Sequence, residues 1–305
     1  MISFRYHVVT IAAVFLALAI GLLGGGAFLQ PALQRELENR TEELRRDLDG
    51  RLEQIDDLRL EVAGLAAFSE AALPYLAEGR LLGAPVVVVS QAGVEDEVLA
   101  QTAEALDVAG AQVLITVSAS ALLMSEDPAV RQQLAEILAG PTADPEDLPA
   151  RAATALASRL TTTTVPSAED DVLTLLLSGG FLAPVGAPPG AATLEEIGAA
   201  GQVVIVLSGG QAEEPALPAE AFAVPLVEAL AELGIPVAAG ESLFTTVPFV
   251  PLVRSAGLDG VVTVDDLDQA MGGSALVLGL DRLLATGEGG DFGAKDGAEP
   301  LPPPP

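Results

Sequence analysis

Soft or borderline metal ions are bound by Cys, Met or His side chains. This chain has no Cys, a single His (His7) and three Met residues, Met1, Met124 and Met271. No two of them stand at ligand spacing, and without Cys both disulfides and thiol chemistry are excluded. Hard cations take carboxylate oxygens, which cluster at Glu95-Asp96-Glu97, Glu169-Asp170-Asp171 and Asp265-Asp266-Leu267-Asp268. The first two clusters open amphipathic stretches, where carboxylates offset the helix macrodipole. Asp265, Asp266 and Asp268 follow a predicted strand, where ligand sites of α/β proteins gather, and are the weak metal-ligand candidates.

Enzyme signatures are missing. The chain has neither a G-x-x-x-x-G-K-[ST] phosphate loop nor a G-x-S-x-G elbow. A Ser-His-Asp triad has no candidate His beyond residue 7. Ser208-Gly209-Gly210 and Ser90-Gln91-Ala92-Gly93 each follow an apolar run. Both read first as strand-exit turns and second as anion cradles. No catalytic residue and no cofactor is expected, so the chain reads as non-enzymatic.

The strongest single element is Val8 to Leu29, an uncharged apolar run. As a helix it matches the roughly 30 Å of bilayer hydrocarbon. Phe4, Arg5, Tyr6 and His7 precede it, aromatic rings and a cation suited to the headgroup layer. Residues 1–30 therefore read as an N-terminal transmembrane anchor. A cleaved signal peptide is the alternative, with Gly25-Gly26-Ala27 as its cleavage region.

Residues 31–80 read as a coiled coil. Leu48, Ile55 and Val62 fall at a positions, and Leu37, Leu44, Leu58 and Leu65 at d positions, of a seven-residue repeat. A narrow stripe of this kind suits a partner helix, and a homodimer is the symmetry default. One long helix lying on its own domain is the alternative. Arg51 interrupts the seam, and Asp47 with Arg51 is one of several acid-before-base pairs at i,i+4.

Residues 81–285 alternate apolar runs with amphipathic stretches. Strands are predicted at 85–90, 112–117, 202–207, 235–238 and 260–264. Helices are predicted at 95–109, 128–139, 148–160, 169–177, 218–233, 250–256 and 274–284. The fold class is α/β, with an N-terminal transmembrane helix and coiled coil followed by a mostly parallel sheet flanked by helices. Residues 286–305, rich in Gly and Pro, read as a disordered tail.

Charge narrows the partners. The chain carries 14 Lys plus Arg against 43 Asp plus Glu, a formal net charge of −29. Such a surface repels polyphosphate backbones, which excludes nucleic acid, and it repels anionic headgroups. Solvation in a saline or alkaline habitat and a basic partner both account for the acidity.

The opening Ile2-Ser-Phe-Arg-Tyr-His-Val-Val9 resembles the entry into the apolar helix of the mycobacterial copper transport protein B family. Thr263-Val-Asp-Asp-Leu-Asp268, Gly272-Gly273 and Ala275-Leu-Val-Leu278 resemble that family's "TVDNVD…GR…ALVLAL" block. Phe292-Gly293-Ala294-Lys295, Gly297-Ala298 and Leu301-Pro302 resemble its "YG…GA…LP" ending. Asp266 stands where the pattern has Asn, and Gly273 where it has Arg. The resemblance covers nearly the whole chain. It implies a role in copper homeostasis or export, an outer-envelope location, and for some members a partner membrane protein in envelope remodelling at division. It also places the bulk of the chain outside the cytoplasm, which cation counts around the anchor do not settle. Copper enters through this resemblance alone.

Overall fold

The computed structural model describes residues 4–138, 147–162, 167, 170–186, 191–212 and 216–303. The chain divides into two units, Met1–Leu65 and Ala66–Pro305.

The first unit is helical. Helix α1 runs from Phe4 to Ala77 without interruption at Pro31, its last turns belonging to the second unit. Within it Tyr6–Gly24 is long and apolar enough to cross a membrane, the core of the span expected at Val8–Leu29. Phe4, Tyr6 and His7 are exposed at its start. The seam side chains Leu37, Leu44, Leu48, Ile55, Leu58, Val62 and Leu65 are all exposed, Ile55 least at 43%. Arg51 Nε meets Asp47 Oδ2 at 3.0 Å, the expected i,i+4 pair.

The second unit is a seven-stranded sheet: β1 (Pro85–Gln91), β2 (Gln112–Ala119), β3 (Leu182–Pro184), β4 (Val203–Leu207), β5 (Val237–Gly240), β6 (Val261–Val264) and β7 (Gly290–Phe292). Their order is β3-β2-β1-β4-β5-β6-β7. Every pairing is parallel except β2 with β3. The helices are α2 (Asp96–Val108), α3 (Pro128–Ile137), α4 (Leu148–Leu160), α5 (Val172–Ser178), α6 (Ala191–Glu196), α7 (Ala223–Glu232), α8 (Val250–Ala256) and α9 (Ala270–Thr286).

Strand alternation sends side chains into two cores. Val87, Val89, Val204, Val206, Val237 and Ala239 face the side covered by α3, α4, α5, α7 and α8. Val86, Val88, Val203, Ile205, Ala238 and Val262 face the side covered by α2, α9 and the last turns of α1, where Leu73 and Ala77 are buried. Covering both faces is what let these strands read as continuous apolar runs.

Local chemistry sets several helix ends. Asp127 caps α3 by accepting the N–H of Ala129, with Pro128 at its first position. Asp171 caps α5 by accepting the N–H of Thr174. Asp96 and Glu97 occupy the first turn of α2. The dipole-offsetting role expected of the first two acidic clusters therefore fits these positions. Glu169 lies outside the described residues.

The C-terminal stretch differs from expectation. Helix α9 extends to Thr286, and Gly290–Phe292 forms β7 on the edge of β6. Phe292 is 2% exposed, and Leu301 packs against the same core. Gly-rich composition suggested an unfolded tail from 286. The burial of one Phe and the hydrogen bonds described next order this stretch instead. Strand β3 and helix α6 were also missed, being three and six residues long.

Candidate functional site

Two polar constructions sit at the C-terminal ends of the parallel strands. The strand order reverses between β1 and β4, the topological switch point at which open α/β sheets leave a crevice. Strand β1 ends in Gln91 and β4 runs into Ser208, 4% and 3% exposed. Ser208 Oγ donates to Gln91 Oε1 at 3.0 Å, and Gln91 Nε2 donates to the carbonyl of Leu217. This buried amide is therefore satisfied on both its oxygen and its nitrogen.

The crevice is a cavity of ≈ 320 Å³ lined by Gln91, Gly93, Ser208, Gly209, Leu217 and Val247, among others. None of its described lining residues is charged. Gly209 has φ +88°, a left-handed turn in which a Cβ would press within 3.2 Å of Thr245 Oγ1. Thr245 ties the loop after β5 to this turn: the Gly210 N–H donates to its Oγ1 at 2.9 Å, and Oγ1 lies 2.8 Å from the carbonyl oxygens of Gly210 and Val247. The structure thus places Ser208-Gly209-Gly210 and Ser90 to Gly93 side by side.

The second construction pins the C-terminal stretch. Asp265, fully buried after β6, accepts through Oδ1 from the N–H groups of Ala294 at 2.8 Å and Lys295 at 3.1 Å. Its Oδ2 lies 2.7 Å from an Arg254 guanidinium nitrogen. Arg254, on α8, also donates to Thr263 Oγ1 and to the carbonyl of Phe292. Thr263 Oγ1 donates in turn to Asp291 Oδ1 at 2.7 Å. Gly293, at φ +128°, allows this approach, because a Cβ there would collide with the Asp265 carboxylate. Glu241, fully buried, accepts through Oε2 from the N–H groups of Phe249 and Val250, and its Oε1 takes Lys295 Nζ at 2.7 Å.

The three flagged aspartates therefore serve different partners. Asp265 holds the C-terminal loop, and Asp268 Oδ1 accepts the N–H of Leu243 at 2.6 Å. Asp266 Oδ1 is buried with no partner among the described residues. Burial, then the neighbouring charges of Asp265 and Asp268, push the Asp266 carboxyl up to about 7. Among the described residues no group of three or more His, Cys, Asp or Glu is placed to hold a metal ion. The two described methionines do not converge either. Met124 follows β2 in a 3-10 turn on the α3/α4 side, whereas Met271 opens α9 on the other face.

Sequence reasoning missed Arg254, Lys295, Glu241, Arg159 and Asp171 as partners. Arg159 in α4 and Asp171 at the start of α5, 4% and 0% exposed in their side chains, form an ion pair. A lone basic residue in a strongly acidic, apolar segment is the signal that could have found them, since it persists in a core only when paired.

The described residues thus combine a doubly wound α/β sheet with an apolar N-terminal helix able to cross a bilayer. Residues 1–303 match the family described as "Copper transport outer membrane protein, MctB", and the chain belongs to that family. It is 27% identical over 315 residues to proteins named "Copper transporter MctB" from Mycobacterium bovis and from Mycobacterium tuberculosis strain ATCC 25618 / H37Rv, covering 98% of each chain.

Proposed function

We propose that this chain is a single-pass, non-enzymatic envelope protein that contributes to copper homeostasis or export and works as a self-associated pair. The apolar stretch Tyr6–Gly24 anchors it, and α1 continues from that stretch into the α/β unit, which lies outside the cytoplasm. The observation that carries the reading is the row of seven exposed Leu, Ile and Val side chains from Leu37 to Leu65. Exposed apolar residues at a and d spacing on one long helix are covered when a second copy supplies the same row. Light scattering on the full chain in lipid nanodiscs tests this. A mass of two chains per particle is expected, and one chain per particle at high concentration would refute pairing. A reporter fused after Pro305 tests sidedness: activity of an enzyme that works only in the cytoplasm would refute the external placement.

The copper role rests on family membership and on the names of the relatives. Its test is calorimetric titration of Cu(I) into the full chain. Stoichiometric binding supports handling of the ion by this chain. A flat titration supports the second reading, a dimeric coiled-coil scaffold or regulator that binds a partner membrane protein in envelope remodelling or division. That reading is favoured by the scattering of His7, Met124 and Met271 over separate elements.

A further inference from the structure

We propose that the switch-point cavity between β1 and β4 is a binding site for an uncharged N-acetylated sugar. Several observations converge on this chemistry. The site is built rather than incidental: Gln91 and Ser208 are buried at its base and lock each other through a 3.0 Å hydrogen bond, while Thr245 holds the Gly209-Gly210 turn. Its volume, ≈ 320 Å³, is at the size of a single ring with one substituent.

Charge selects against anions. Among the described residues the lining contains no Lys, Arg, Asp or Glu. An anionic ligand would meet a chain of net charge −29.

The polar groups left over are complementary to an amide. Ser208 Oγ uses its proton on Gln91 and accepts from no group among the described residues, so it is open to a donor. The backbone N–H groups of Gly93 and Gly209, two lining residues, make no hydrogen bond among the described residues, and the proposal assigns them to acceptors of the ligand. One donor and one or two acceptors are what an acetamide and its neighbouring hydroxyl present. The rest of the lining, Ala92, Ala212, Ala216, Leu217, Ala219 and Val247, is apolar and suits the acetyl methyl and the C–H face of a ring.

The test is saturation-transfer NMR on the full chain in lipid nanodiscs, which avoids sugar-headed detergents, with N-acetylglucosamine, glucose and glucose 6-phosphate as probes. N-acetylglucosamine is expected to bind saturably, with the acetyl methyl receiving the strongest transfer. Glucose and glucose 6-phosphate are expected to bind at least about tenfold more weakly, the loss of one or two hydrogen bonds to buried groups. The double variant Ala212→Leu/Ala216→Leu fills the mouth from exposed positions and is expected to abolish binding at unchanged melting temperature. Should that variant unfold, the single variant Ala212→Leu, at an exposed lining position, is expected to weaken binding. The proposal is overturned if N-acetylglucosamine shows no saturable transfer, if glucose binds equally well, or if the cavity-filling variant binds like the parent chain.

Discussion

Lys295 Nζ lies 2.7 Å from Glu241 Oε1 although the two residues are 54 positions apart. Glu241 is fully buried at the exit of β5, and its other oxygen accepts the N–H groups of Phe249 and Val250 at the start of α8. One carboxylate thus anchors a helix start and the C-terminal stretch together. Removing the ammonium leaves a buried charge with backbone donors alone. Lys295→Met is therefore expected to destabilise the α/β unit by about 3 kcal/mol, the usual cost of breaking a buried pair from one side. Thermal unfolding of the full chain reads this directly; a melting temperature unchanged within one degree would show that the pair is not holding the fold.

Arg254 gathers Thr263, Asp265 and the carbonyl of Phe292, so it fastens β7 to β6. Arg254→Leu is expected to release residues 290–299 before the rest of the sheet opens. Hydrogen exchange at Phe292, Gly293 and Glu299 is the readout. Faster exchange there, with β1 and β4 still protected, is the expected pattern. Uniform change across the sheet would contradict it.

Asp266 sets a pH dependence. Burial and the adjacent Asp265 and Asp268 raise its carboxyl from 3.8 to about 7. Between those two values the folded chain holds a proton that the unfolded chain has released. This group's contribution to stability is therefore complete below about pH 4, falls as pH rises, and is lost once pH passes about 7. Asp266→Asn keeps the shape of the neutral acid without the ionisation. It is expected to flatten this slope and to raise stability at pH 8 by roughly 2–4 kcal/mol. Denaturant unfolding at pH 5, 6.5 and 8 decides; an unchanged slope in the variant would assign the dependence to another group.

The Gln91–Ser208 pair predicts non-additivity. Ser208→Ala leaves Gln91 Oε1 buried without its donor, at a cost of about 1–3 kcal/mol. Gln91→Leu removes both the acceptor of Ser208 and the donor to the carbonyl of Leu217. The double variant is expected to cost less than the sum of the singles, because they break one shared bond. Strict additivity in denaturant unfolding would show that the two side chains act independently.

What was legible in the sequence follows from how each feature is encoded. Val86 to Val89 and Val203 to Leu207 are buried on both faces, so their runs of Val, Ile and Leu announced a parallel sheet. Helix α4 was placed end to end at 148–160, and the apolar run that begins at Val8 announced the membrane-length segment. Strand β7 was hidden because Gly290 and Asp291 are poor strand formers, and only pairing with β6 and the burial of Phe292 place them there. The polar partners were hidden for a different reason. Asp265 was flagged for its neighbours Asp266 and Asp268, yet it meets Arg254, Ala294 and Lys295, which lie 11, 29 and 30 positions away. Local spacing carries no trace of such pairs. The switch-point cavity was half legible: both turns were singled out, but strand order alone puts Gln91 beside Ser208.

The central claim, that α1 pairs two copies through the row from Leu37 to Leu65, has a direct measurement in a chain without cysteine. Ile55→Cys places a thiol on the proposed seam, and Glu53→Cys places one on the opposite side of the same helical turn. Each single-cysteine full chain is oxidised in native membranes and run on a non-reducing gel. A disulfide-linked dimer from Ile55→Cys, with little from Glu53→Cys, is the predicted result. Equal cross-linking at both positions, or none at Ile55→Cys, would contradict the account.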